Sequence, residues 1–293
     1  MYPSLKKTAI NPSFILSRAQ QNLRSKQKDL YIFVEGKNDK KFLKNLGLDK
    51  KQIGFDGFDG KPLVKKLLSL SKQKPYTIFS QSLFIMDIDY DSSVGNLISH
   101  DNNVFYHGYC NISNQHEYND LEVFLWETKA FQKILNEFEI EEDAITLRNV
   151  LSILASEIGY LKLADEILVK ENALRSSILD GFNIESFIRI SDFTFLEKDI
   201  KENLKIRSPH KEYVDDLFEK IKELKKDYPN IKICVKGHDL TKILEIYLKH
   251  KGKQWANQTN LEMTLRVGFE ADEYLKSPLG QSLLSRENIK NLF

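Results

Sequence analysis

Two short stretches of this sequence place carboxylates directly after apolar runs, where they could bind a metal ion or move a proton. Glu35 follows the run Leu30–Val34, and Asp87 and Asp89 follow the run 82–86. Carboxylates two residues apart on an extended strand point to the same side, so both aspartates are expected to face one hard cation. Mg²⁺ prefers such oxygen ligands, and a glutamate beside them suits a general acid or base, or a further ligand. The sequence therefore predicts an acidic Mg²⁺ site.

An ordinary acidic loop after a strand is the alternative interpretation of the aspartates. Asp91 extends them to an alternating D-x-D-x-D series, which also begins a calcium-binding EF-hand loop. That loop needs glycine at its sixth position and glutamate at its twelfth, where this sequence has Ser92 and Ile98. The EF-hand interpretation therefore fails, and the pairing of the aspartates with Glu35 favours a metal site over a plain loop.

Short apolar segments alternate with helical patterns over the first part of the chain. Strands are predicted at 30–34, 53–55, 82–86 and 103–109, and helices after the Asn38-Asp39 cap and at 62–70. The glycine-rich stretch 54–60 matches neither common nucleotide-binding fingerprint and is predicted to be a turn. The alternation favours a parallel, doubly wound sheet, in which functional side chains gather beyond the carboxyl ends of the strands. Both acidic stretches fall at such ends.

The rest of the chain is predicted to be mostly helical. Helices are expected at 14–23 (capped by Ser13), 121–138, 145–163, 213–226 and 241–249, and one more strand at 231–235. That strand could rejoin the first sheet, which would make the helical stretch an insertion, or it could belong to a second domain. The sequence leaves both possibilities open.

The composition excludes few classes of protein. The chain has 293 residues, with 43 Lys and Arg against 42 Asp and Glu, so net charge points to no partner. Cys110 and Cys234 lack metal-finger spacing and are expected to be buried, reduced thiols. No apolar run resembles a signal peptide or a membrane span, which predicts a soluble, cytoplasmic protein without a membrane partner.

The two acidic stretches resemble the Toprim domain that topoisomerases, primases and several nucleases share. The matching segments are Phe33-Val34-Glu35-Gly36-Lys37-Asn38-Asp39 and Ile85-Met86-Asp87-Ile88-Asp89. The resemblance covers roughly the first 110 residues. It implies a Rossmann-like α/β sheet, Glu35 as general acid or base, and Asp87 and Asp89 as ligands of Mg²⁺, with Mn²⁺ as a substitute and Glu35 sharing the ion. It also places Lys37, Asp39 and Asp91 beside the site.

Two later segments resemble recurring parts of a Toprim-like bacterial family whose members often work beside an ABC-type ATPase. They are Tyr118-Asn119-Asp120-Leu121-Glu122-Val123-Phe124-Leu125 and Val235-Lys236-Gly237-His238-Asp239-Leu240. One branch of this family includes the tRNA-cutting nuclease subunit of the PARIS anti-phage system. The resemblance implies an ATPase partner and a homodimer, and it places Asp120, Glu122, His238 and Asp239 near the metal. Helix capping is the alternative role of Asp120 and of His238-Asp239, and a phosphate contact is another for His238.

A Mg²⁺-dependent nuclease acting on RNA, including tRNA, or on DNA is the leading hypothesis. The chain is too short for the gate domains of a topoisomerase, and it lacks the template-binding modules of a primase. The alternatives are a non-catalytic Toprim sensor or ATPase-docking module, and a small-molecule phosphatase or phosphotransferase. Basic residues could contact nucleic acid in the arm 1–28 and at Lys249, Lys251 and Lys253 near Trp255. The predicted division is arm 1–28, Toprim-like domain 29–127, helical region 128–229 and a last segment 230–293.

Overall fold

A computed structural model describes residues 10–48, 50–97, 101–286 and 290. Lys6 and Lys7 of the predicted basic arm lie outside the described residues. The helices are α1 (Pro12–Arg24), α2 (Lys37–Asn45), α3 (Lys61–Ser71), α4 (Leu121–Trp126), α5 (Lys129–Glu137), α6 (Ala144–Glu171), α7 (Glu197–Arg207), α8 (Val214–Asp227), α9 (Gly237–His250), α10 (Gln258–Gly268), α11 (Ala271–Leu275) and α12 (Pro278–Leu284). The strands are β1 (Leu30–Val34), β2 (Ile53–Gly57), β3 (Leu83–Met86), β4 (Val104–Tyr106), β5 (Tyr109–Cys110), β6 (Gln115–His116), β7 (Ile188–Arg189) and β8 (Thr194–Phe195).

The chain is an α/β protein whose main sheet has six strands in the order β2-β1-β3-β4-β5-β6. The pairs β1–β2, β1–β3 and β3–β4 are parallel, and β4 pairs with β5 in the antiparallel direction. The sheet is therefore mixed but mostly parallel, and the later part of the chain is largely helical. The predicted α/β class is confirmed. The predicted strand 103–109 is instead β4 followed by a turn and the short β5.

Contacts divide the chain into two compact units that are interleaved in the sequence. Unit 1 contains Met1–Ile88, Leu97–Gln115 and Ala271–Phe293, whereas unit 2 contains Asp89–Asn96 and His116–Glu270. The consecutive four-part division stays a prediction.

Unit 1 is built around apolar packing on its parallel strands. Phe33 of β1 and Phe84 of β3 stack with ring centroids 5.0 Å apart. They share one buried cluster with α1 and α3. Side chains alternate across a strand, so the fully buried Ile32 and Ile85 belong to the opposite face. Because both faces are buried, the sequences of these strands are continuous apolar runs.

Unit 2 is organised around α6, a helix of 28 residues. Helices α8 and α9 both pack against α6, and α10 packs against α5 and α9. Gly159 of α6 allows a close crossing, since a Cβ there would lie 2.4 Å from the carbonyl oxygen of Cys234. No helix among the described residues is long and apolar enough to cross a membrane.

One strand prediction is wrong: residues Ile231–Ile233 form a single turn of 3₁₀ helix. The Asn230 side chain accepts the Lys232 N–H over 3.2 Å and so starts the turn. The segment 231–235 is apolar because Cys234 and Val235 are buried in the structure. A short apolar run does not by itself distinguish a strand from a buried turn. Among the described residues, the main sheet takes no strand from beyond His116.

Helix ends also differ from the predictions because side chains cap them at other positions. Asn11, not Ser13, caps α1, and α2 begins at Lys37, directly after Gly36. The predicted helix 121–138 is broken, because the Thr128 side chain accepts the N–H of Ala130 and starts α5 there. The remaining predicted helices are present with ends shifted by a few residues, except that α6 continues to Glu171.

Candidate active site

Glu35 and Asp87 lie side by side at the carboxyl edge of the parallel sheet. Glu35 directly follows β1 and Asp87 directly follows β3, and these strands pair in parallel. Because β2 lies on the other side of β1, the chain changes its direction of travel across the sheet between these strands. In open α/β sheets, ligands bind in the crevice outside such a switch point.

A hydrogen bond joins these two residues. The backbone N–H of Asp87 donates to Oε1 of Glu35 over 2.9 Å. Both side chains are partly buried. The bond holds the Glu35 carboxylate against the end of β3, so the structure brings together two of the three residues predicted to be catalytic.

The end of β2 and the turn that follows it fix the backbone around Glu35. Phe58 N–H donates to the carbonyl of Val34 over 3.1 Å, and Gly60 N–H donates to the carbonyl of Glu35 over 3.0 Å. Gly57 makes this approach possible: its φ is +109°, and a Cβ there would lie 2.4 Å from the Val34 oxygen. Of the stretch 54–60 that is predicted to be a turn, residues 54–57 belong to β2 instead, and only residues 58–60 form the turn, which supports the end of β1.

Asp39 supports the same edge from the first turn of α2. Its Oδ2 accepts the N–H of Gly36 over 2.7 Å. Its Oδ1 lies 3.5 Å from Nε2 of His107, a buried side chain that directly follows β4. The sequence analysis missed His107, because it lies inside the apolar run predicted as one strand. Lys37, in the same turn of α2, is exposed.

Asp89 and Asp91 belong to unit 2 and do not continue β3. The strand ends at Met86, and Asp89 has a φ of +48°, in the left-handed region. The expectation that Asp87 and Asp89 point to one side of an extended strand is therefore wrong. Asp89 N–H donates to the carbonyl of Asn119 over 2.8 Å, within unit 2. A role for Asp89 as a metal ligand stays a prediction from the D-x-D motif.

Asp120 joins the beginnings of two helices in unit 2. Its Oδ1 accepts the N–H of Val123 in α4 over 2.9 Å, and its Oδ2 accepts the N–H of Gly237 in α9 over 2.7 Å. Burial raises the pKa of Asp120 to about 7, and the nearby Glu122 carboxylate adds to the rise, while the two N–H donors lower it. The alternative role of Asp120 as a helix cap is confirmed.

His238 and Glu122 take part in an ion-pair network with α10. His238 Nδ1 lies 2.6 Å from Oε1 of Glu262, and Arg266 donates to Oε1 of Glu122 over 3.0 Å. The hydrogen bond to Glu262 raises the pKa of His238 to about 9. The imidazole nevertheless remains 72 % exposed. These contacts hold His238 and Glu122 in place, and the His238 side chain is exposed to solvent.

Asp239 forms a separate pair in the first turn of α9. Its Oδ1 lies 2.6 Å from Nζ of Lys162 in α6. Its Oδ2 is buried without a hydrogen-bond partner among the described residues. Helix α9 begins at Gly237 after Lys236, so the prediction that His238-Asp239 precedes and caps the helix is wrong.

Glu35 and Asp87 are the two acidic residues of unit 1 whose carboxylates would hold a divalent cation. No group of three or more His, Cys, Asp or Glu side chains is arranged to hold a metal among the residues that the structure describes. Mg²⁺ usually takes only one or two carboxylates and completes its shell with waters and substrate phosphates. A pair of oxygen ligands at a switch point therefore fits the ion.

The fold and this edge define the class: an α/β protein with a mostly parallel sheet and two neighbouring acidic residues at its switch point. Comparison with protein-family models, with curated proteins and with solved structures finds no match to this chain.

Proposed function

We propose that this protein is a Mg²⁺-dependent nuclease of the Toprim type that hydrolyses phosphodiester bonds in RNA, with tRNA as a candidate, or in DNA. The observation that carries the proposal is the Glu35–Asp87 pair, hydrogen-bonded at the switch point of the sheet. The order of the two acidic motifs along the chain, and their resemblance to Toprim segments, support the same assignment.

Each residue of the pair has a distinct task in this proposal. The Asp87 carboxylate, with Glu35 beside it, would hold the cation. The chemistry that a bound Mg²⁺ would supply is polarisation of a phosphate and stabilisation of charge on its oxygens. Glu35 moves the proton as a general acid or base. Its fixed position at the strand end favours this task, because a proton-transfer group must lie within hydrogen-bond reach of the reacting atom.

An ABC-type ATPase partner, a homodimer and a role in anti-phage defence form the further part of the proposal. They rest on the resemblance of the segments around Asp120 and His238. The helical unit 2 offers surface for such contacts. Size-exclusion chromatography of the protein with a candidate ABC-type ATPase tests docking, and separate elution of the two would count against it.

Wild type and Glu35→Gln, incubated with a total tRNA pool and with plasmid DNA, test the nuclease activity. The substitution keeps the size of the side chain and removes its charge and its proton transfer. Of these two proteins, only the wild type is expected to cleave, and only with Mg²⁺, so EDTA should abolish cleavage. Glu273→Gln is the matched control, because Glu273 is also a partly buried glutamate of unit 1 but lies in α11. Equal cleavage by wild type and Glu35→Gln would refute the assignment of Glu35.

A non-catalytic Toprim sensor or docking module is the second candidate. The lack of a preformed group of three metal-ligating side chains among the described residues favours it. A protein that binds nucleic acid, with affinity unchanged by Glu35→Gln, and cleaves neither substrate would support this alternative.

A further inference from the structure

Trp255 presents one face of its indole ring to solvent on unit 2. The side chain is 60 % exposed, although tryptophan is usually largely buried. The other face stacks on Phe138, with centroids 4.0 Å apart and planes 10° from parallel. Phe138 itself is buried. The stack therefore holds a large, flat aromatic surface at the outside of the protein.

The loop that carries Trp255 is tied at both ends. Gly252 N–H donates to the carbonyl of Lys249 over 3.0 Å, and Lys253 N–H donates to the carbonyl of Leu248 over 2.9 Å, which together close the end of α9. On the other side, the Asn257 side chain accepts the N–H of Asn260 and starts α10. The ring is thus held in one orientation before any ligand arrives, which lowers the ordering cost of binding.

A lysine, Lys253, stands two residues before Trp255 in the same loop. The Nζ of Lys253 lies 3.4 Å from Oε2 of Glu139, which is 88 % exposed. Lys251 pairs with Glu142 in the same way. Ion pairs with an exposed partner contribute little to stability, so a phosphate can replace the glutamate at small cost. The lysines are therefore available to an anionic ligand.

We propose that Trp255 is a stacking platform for a base of single-stranded nucleic acid, with Lys253 contacting the adjoining phosphate. A planar ring beside a cation is the combination that binds single strands without reading their sequence. The proposal rests on the proposed function in taking nucleic acid as the partner. A protein interface is the competing use of an exposed tryptophan. Such hot spots lie in desolvated apolar centres, whereas the sequence neighbours of Trp255 and Phe138 include the ion pair Lys253–Glu139.

Intrinsic fluorescence gives a direct test, because the chain has two tryptophans and only Trp255 is exposed. Trp126 is fully buried, and its indole N–H donates to Ser152. A short oligouridine should quench the emission of the wild type. An abasic oligomer of the same length, which keeps the phosphates and lacks the bases, should not. Equal quenching by the two oligomers would overturn the proposal, because it would show a charge effect without stacking.

Binding of labelled oligouridine by variants separates stacking from folding. Trp255→Leu keeps apolar packing on Phe138 and removes the ring, and it should weaken binding by about five-fold to a hundred-fold. Ile153→Ala is the matched control, because Ile153 is also a large exposed side chain of unit 2, at 58 %. Glu139→Gln removes the carboxylate that competes for Lys253 and should strengthen binding by up to about five-fold.

The outcomes distinguish this proposal from the nuclease assignment. Glu35→Gln should quench like the wild type even though it does not cleave. Cleavage that needs Mg²⁺ and Glu35, combined with equal oligouridine binding by wild type and Trp255→Leu, would overturn the platform alone. Absence of oligouridine binding at low salt, with a change in emission only when a protein partner is added, would also overturn it and would indicate a protein interface.

Discussion

The carboxylate of Asp120 does two tasks that sequence inspection assigns to separate residues. It caps α4 through Val123 and also accepts the N–H of Gly237 at the start of α9. Both helix starts carry partial positive charge, which offsets part of the cost of burying the ionised carboxylate. Gly237 has room only for hydrogen, because a Cβ there would lie 2.2 Å from the Cβ of Glu122.

Asp120→Asn should therefore destabilise the protein although the side chain keeps its size. Its amide group would point a donor at one of the two backbone N–H groups, and a buried donor left without an acceptor costs roughly 1–3 kcal/mol. Urea denaturation at a pH above 7, where the native carboxylate is ionised, measures the loss. Asp143→Asn is the control, because Asp143 caps a single helix, α6, and asparagine caps equally well. Equal stability of both variants would contradict the double role of Asp120.

His238 should make stability depend on pH. Its pKa is raised from the ordinary 6.5 to about 9 by the hydrogen bond to Glu262, so the folded protein binds this proton more tightly than the unfolded chain. The stabilisation is complete below 6.5 and disappears as pH rises through about 9. The free energies of unfolding of wild type and His238→Gln should therefore differ at low pH and converge at high pH. The exposed position limits the difference to roughly 1 kcal/mol or less. A difference that is constant with pH would contradict the pairing.

At the scale of elements, the turn after β2 supports the site without contributing a side chain to it. Its N–H groups donate to the carbonyls of Val34 and Glu35, the last residue of β1 and the one after it. A change in this turn is transmitted to the Glu35 backbone directly, because only one hydrogen bond separates them.

Gly57→Ala should reduce both stability and cleavage. A positive φ costs an alanine about 1–2 kcal/mol, and the added Cβ would also press on the Val34 oxygen, 2.4 Å away. Gly47→Ala is a close control: its φ is +94°, but a Cβ there meets nothing within 4 Å. Thermal unfolding and Mg²⁺-dependent cleavage should both show a larger loss for Gly57→Ala than for Gly47→Ala. Similar losses in the two variants would mean that contact with β1 has no part in the effect.

The parallel core could be predicted from sequence because its strands are buried on both faces. The runs at Leu30–Val34 and Leu83–Met86 were located almost to the residue, and with them the neighbouring positions of Glu35 and Asp87. The apolar residues around Cys234 carried an equally strong signal but form a buried turn. Their burial depends on Gly159, far away in the sequence, so no local pattern could reveal it.

Side chains that act through the backbone were the hardest to assign. Asp39, Asp120 and Thr128 each accept a backbone N–H, and the donors become apparent only when the helix starts are known. His107 was missed because its partner Asp39 lies in another element. Glu262 gave no signal at all, since an isolated glutamate in a helix is usually a solvated residue.

At the scale of the whole molecule, removal of the metal should stop cleavage and leave the fold almost unchanged. The core of unit 1 consists of apolar side chains, and the pair Glu35 and Asp87 offers Mg²⁺ only two protein ligands. At a Mg²⁺ concentration near its dissociation constant, binding adds about 0.4 kcal/mol of stability. The melting temperature with EDTA should fall by no more than about 2 °C. Unfolding on chelation would show that the ion has a structural role.

The interleaved order of the two units has a consequence for synthesis on the ribosome. Helix α12 packs on β4 and β5, and its Ser282 hydroxyl accepts the N–H of Asn111. At about 5–20 residues per second, the intervening segment His116–Glu270 takes on the order of ten to thirty seconds to translate. During that interval the nascent sheet lacks the helix that covers these strands. During this period chaperones can bind the uncovered face of β4 and β5. The period ends only when α12 has emerged from the ribosome.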